Sequence, residues 1–180
     1  MEAHGFSDMK ATVAADELAQ KLFSSFVLGE ETSVMKSQDS DLRAKPGFQL
    51  QAYEHQKFIY LAASIAVALT TASDKNPAII QVIPHFRQLV TAEMYKRWGE
   101  GIDIVDSEIE RASHDCFVLL FTNPKDNRVL SVDWSQTWLE QIGVKESNPV
   151  TLFLISTYWK EKFLQAAEIL SQVRVPNSDT

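Results

Sequence analysis

FIYLAASIAVAL, residues 58–69, is a run of twelve residues in which Ser64 is the only one neither apolar nor aromatic. It falls short of the ~18 residues that a bilayer-crossing helix needs. Lys57 precedes it and Ser73-Asp74-Lys75-Asn76 closes it, so protein rather than lipid is expected to cover it. At helical spacing the run has two apolar faces. Phe58, Leu61, Ile65 and Leu69 make a bulky one, and Ile59, Ala63, Ala66 and Val67 a thinner one. The small side chains of Ala62, Ala63 and Ala66 let a neighbouring backbone approach closely. A buried β-strand is the rival reading of a short apolar run. The four alanines oppose it, because alanine favours helices and is poor in strands. The stretch therefore predicts a buried central helix over about residues 48–72. The fold expected around it is all-α: a single domain over residues 1–180, an irregular bundle of about six helices.

Working outward, Ser7 or Asp8 is placed to cap a first helix running to about Leu28, with Gly29 as its stop. Residues 30–47 are polar and lack sustained periodicity, which predicts a mobile loop, and short flexible termini are expected at both ends. Asn76-Pro77 opens a third helix whose inner stripe is Ile79, Ile83, Phe86 and Val90, with a kink or break expected at Pro84. A fourth helix over about 102–121 carries Ile102, Val105, Ile109, Ala112, Cys116 and Leu119 at alternating steps of three and four. Asp133 caps a short helix bearing Trp134 and Trp138, stopped by Gly143. The last helix follows Asn148-Pro149 and runs to about Arg174.

Composition narrows the function classes. With 17 basic against 24 acidic residues and a net charge of −7, the chain has no basic cluster of the kind that phosphate contacts require, so no nucleic-acid partner is expected. No signal-peptide pattern and no spanning segment are evident, so no membrane partner is expected either. The single cysteine, Cys116, is compatible with a cytoplasmic location. Phosphate loops, nucleophile elbows, His-Glu-x-x-His and paired Glu-x-x-His ligand sets are all missing, and no cofactor is expected.

Two constellations remain. His85, Glu110 and His114 offer two imidazoles and a carboxylate on adjacent helices, a donor set able to bind a transition metal or a small ligand if the helices form a hairpin turning near residue 100. His114-Asp115 also resembles the doublet of the metal-dependent HD-domain phosphohydrolases. The match covers those two residues, and Cys116-Phe117-Val118 then departs from the family pattern. The second constellation is aromatic: Trp134 and Trp138, one turn apart, are core residues or, if exposed, interface anchors. The function expected is that of a non-catalytic helical protein acting through protein contacts or self-association. The alternative is a ligand- or metal-binding bundle, with or without catalysis, using the histidine site between the third and fourth helices.

Overall fold

The structure is a computed structural model and describes residues 11–29, 40–121, 135–145 and 149–176. In chain order these form β1 (Ala11–Thr12), α1 (Ala15–Leu22) with a wider π turn at Phe23–Val27, and a single turn α2 (40–43). There follow α3 (Leu50–Ser73), a 3-10 turn at Pro77–Gln81, α4 (Val82–Trp98), α5 (Ile102–Phe121), α6 (135–141), α7 (Pro149–Gln172) and β2 (Val173–Arg174). The all-α expectation is met.

α3 is the axis. Every residue from Phe58 to Ile65 is buried, and so are Val67, Ala68 and Leu69; of the two apolar faces only Ala66 is half-buried. Each large aliphatic side chain so covered stabilises the fold by about 1.5–3 kcal/mol. The most extensive neighbours of α3 are α7 and α5. Its pairs with α5 advance together, Gln56 with Arg111 and then Tyr60 with Asp115, so these helices run in the same direction. α4 returns between them: it starts beyond the end of α3 and finishes at Trp98, whose ring packs on His55 and Phe58 near the start of α3. α1 covers α4 and the π turn after it covers α3, with the Phe23 ring edge-on to Phe58 and Phe86 at 6.3 and 6.2 Å.

The structure corrects three local expectations. α1 begins at Ala15 behind an extended Ala14 with no side-chain cap; Ser7 and Asp8 lie outside the described residues. Ahead of it, β1 pairs in parallel with β2, Ala11 opposite Val173, and Val13 N–H donates to the Arg174 carbonyl at 3.0 Å. Val173 and Val175 are buried and β-branched, which favours this extended end over a further helical turn. Pro84 does not break a helix. The 3-10 turn places it in the first turn of α4, where its missing N–H would have no intrahelical partner.

Residues 40–47 are not featureless: α2 buries Leu42, and Lys45 N–H donates to the Leu42 carbonyl at 3.0 Å. The rest of the 30–47 loop, residues 30–39, lies outside the described residues. Gly47 and Gly143, both at φ +84°, bring their backbones together, and Gln49 N–H donates to the Ile142 carbonyl at 2.9 Å. This contact fixes the entry to α3 against the end of α6.

Candidate functional site

His85, Glu110 and His114 are all exposed. Among the described residues no three His, Cys, Asp or Glu side chains gather closely enough to hold a metal ion, these three included. The reason lies in the stripes. Phe86, Val90 and Met94 on α4, and Val105, Ala112 and Cys116 on α5, carry the buried faces, which leaves the histidines on outer ones. The Arg87–Asp106 ion pair spans the hairpin nearby.

Four of the acids between residues 100 and 115 are paired. The His55 ring lies 2.9 and 3.0 Å from the two Glu100 oxygens, and Arg87 grips Asp106. Arg111 donates to Glu108 at 2.8 Å and to the Tyr60 hydroxyl at 3.2 Å. Tyr60 in turn donates to Asp115 at 2.7 Å, so the aspartate of the His-Asp doublet is tied to the core helix. Cys116 is buried, and that burial pushes its thiol up to about 12, far from a thiolate nucleophile at neutral pH.

Trp138 is 2% exposed and belongs to the core, its ring edge-on to Tyr53 at 5.9 Å and to Trp159 at 6.1 Å. Of the two readings its sequence left open, packing is the one realised; Trp134 lies outside the described residues. Among the described residues, Tyr95 on α4 and two phenylalanines on α5 are exposed instead. Phe117 and Phe121, 53% and 50% exposed, lie with their rings tilted and their centroids 4.6 Å apart. Phe121 meets Phe163 of α7 edge-on at 6.0 Å, and the next residue of α7, Leu164, is exposed.

A cavity of about 280 Å³ opens on the other side of α3. Tyr53, Lys57 and Leu61, spaced four apart and hence on one helical face, form its floor. Arg43 enters from α2, Arg97 from the last turn of α4 and Tyr158 from α7, and among the described residues Glu54 is the one acid in the lining. The cations lie on aromatic faces. Lys57 is 5.5 Å and Arg43 6.0 Å from the Tyr53 ring centroid, while Arg97 is 5.6 Å from that of Phe58. Arg97 also donates to Glu93 at 2.6 Å. Behind Tyr158, Lys162 is 7% exposed, with its ammonium 5.5 Å from the Tyr158 ring centroid and 5.8 Å from that of Phe26. Burial and then the neighbouring Lys162 charge lower Lys57 to about 8. Burial and then Glu161 raise Tyr158 to about 12.

Sequence reasoning passed over Arg43, Lys57, Arg97 and Tyr158 as site residues. The only local signal was Lys57 standing at the edge of the apolar run, one turn after Tyr53. The other groups come from three further elements, and no spacing in the chain announces their convergence. Comparison with protein-family models, curated proteins and solved structures finds no significant match to this chain.

Proposed function

We propose that this chain is a non-catalytic helical interaction protein that pairs with a second copy of itself through the apolar surface shared by α5 and α7. The observation that supports this reading is the exposed pair Phe117 and Phe121 on α5, in ring contact with each other and, through Phe121, with Phe163 of α7. Single exposed apolar residues are ordinary, but a contiguous cluster marks a contact surface. In a two-fold pair the same patch faces itself, and aromatic rings supply the large burial that anchors such interfaces.

In this reading the protein works in a reducing, cytoplasmic setting, supported by its lone and buried cysteine, with protein rather than nucleic acid as its partner, supported by its net charge of −7. Among the described residues no helix is long and apolar enough to cross a membrane.

Sedimentation velocity over a concentration series tests the reading. A monomer–dimer equilibrium is expected. Phe117→Ser with Phe121→Ser should weaken the dimer at least about tenfold, a change of ~1.4 kcal/mol, with helical circular dichroism unchanged. A chain that stays monomeric at every concentration, or a dimer indifferent to the double substitution, overturns it.

A further inference from the structure

We infer that Lys57 is a nucleophilic amine on the floor of the cavity between α2, α3, α4 and α7, and that it captures small apolar aldehydes there as a reversible imine. This goes beyond the self-association reading and stands on different residues. Covalent capture of this kind requires no turnover.

Geometry comes first. Lys57 is half-buried on α3, directly ahead of the covered run that begins at Phe58. It lines a cavity of about 280 Å³ whose walls include Val27, Phe58, Leu61 and the Tyr53 and Tyr158 rings. The centroid of the Tyr53 ring, one helical turn back, lies 5.5 Å from the Lys57 nitrogen and holds it against an aromatic face. Apolar walls gather an apolar carbonyl compound beside the amine, and a side chain rooted in the central helix limits the directions of attack.

A lysine ammonium has no lone pair, so it attacks only after losing its proton. Removal from water and a neighbouring cation are the two ways a protein brings this about, and Lys57 has both. Burial first, and then the Lys162 charge, lower it to about 8. Lys162 is itself 7% exposed and lies behind Tyr158, its ammonium 5.5 Å from that ring centroid. Lys57 keeps further contacts, and the balance of its surroundings still favours the neutral amine relative to an ordinary lysine. Among the described residues, the charged and titratable groups around it are Arg43 from α2, Tyr53 and Glu54 from α3, Arg97 from α4, and Tyr158 with Lys162 from α7. The end of α1 contributes Val27, Leu28 and Gly29 and no charge. Tyr158, raised to about 12, stays a phenol and does not compete as a nucleophile.

The chemistry balances without a further reagent. The Lys57 lone pair forms a bond to the carbonyl carbon, the carbonyl π pair moves to oxygen, and that oxygen takes one proton from nitrogen. The resulting hydroxyl then leaves with the second nitrogen-bound hydrogen as water, while the nitrogen lone pair closes the C=N bond. One amine and one aldehyde give one imine and one water. Nothing is oxidised or reduced, and hydrolysis runs the same steps backwards.

Reductive trapping on the whole chain tests the site, with benzaldehyde as the probe and glycolaldehyde as a polar comparator. Cyanoborohydride fixes any imine as a secondary amine, which peptide mapping by mass spectrometry then locates. At pH 8 about half of Lys57 is neutral, against roughly one part in 250 of a lysine in water. Benzaldehyde should therefore label Lys57 at least about tenfold faster than any other lysine, even after the lower intrinsic reactivity of a weaker base. Its rate should rise with pH around a midpoint near 8, and glycolaldehyde should show a clearly smaller preference for Lys57. Lys57→Arg keeps the charge and removes the nucleophile, so labelling should fall to the slow background of the other lysines with helical circular dichroism unchanged. Label spread over the lysines without preference, a Lys57 rate that follows the ordinary lysines to about pH 10, or equal preference with both aldehydes would each overturn the inference. The wild-type chain alone supplies those three readings, so a variant that fails to fold leaves the test intact. The dimer proposed above stands or falls separately, by sedimentation.

Discussion

At the scale of single residues, Lys57 shows how an ordinary side chain acquires an unusual property from its surroundings. Its ammonium lies beside the Tyr53 ring, partly out of water and within reach of Lys162, and it titrates near 8 instead of 10.5. The sign of the consequence follows from which state holds the proton. Between those two values the unfolded chain keeps a proton that the folded chain has released, so stability rises with pH across that window. Below about 8 both states are protonated and the folded one carries the full penalty. Lys57→Met removes that penalty. The variant should resist urea better than the wild type at pH 7, and its advantage should shrink as pH approaches 10.5. Urea midpoints at the two ends of the window check this; an advantage that grows with pH would contradict it.

At the scale of elements, short contacts hold long helices in place. The entry to α3 is fixed where Gly47 and Gly143 face each other. A Cβ at Gly143 would lie 2.1 Å from the Gly47 carbonyl oxygen, and its φ of +84° is already one that side chains avoid. Gly99 offers a control, with φ +72° at the end of α4 but nothing within 4 Å of an added Cβ. Gly99→Ala should therefore cost only about 1–2 kcal/mol of backbone strain. Gly143→Ala should cost clearly more, because α6 must also move away from the start of α3. Equal losses of stability in the two variants would show that the close approach is unimportant. The same scale explains Pro84 and the histidines. Pro84 does no harm because a 3-10 turn moved the start of α4 to Val82, and the buried stripes of α4 and α5 turn His85 and His114 outward.

At the scale of the molecule, α3 is the helix on which α4, α5, α7 and the π turn after α1 all pack. Ile65, fully buried on its bulky face, tests that role. Ile65→Ala should cost roughly 2–5 kcal/mol, the range for a large-to-small change in a packed core. Unfolding followed by circular dichroism and by tryptophan fluorescence should still coincide. A loss on the order of half a kilocalorie, as for surface changes, would remove α3 from the centre of the fold.

The sequence by itself determined the elements with strong periodicity or strong composition. Phe58 to Leu69 announced a buried helix because nothing in that run could face water. The steps of three and four in α5 announced its inner stripe, and Gly99 and Gly143 announced helix ends. All of these depend on residues within a turn or two of one another. Tertiary structure alone decided which faces met. It buried Trp138 and exposed Phe117, sent His55 to Glu100, tied Asp115 to Tyr60, and set His85, Glu110 and His114 in solvent. It also assembled Arg43, Lys57, Arg97 and Tyr158 around one cavity. Helix periodicity specifies a face but not the neighbour that will cover it. That choice is made by packing among distant segments, and so the cavity has no signature in the linear chain.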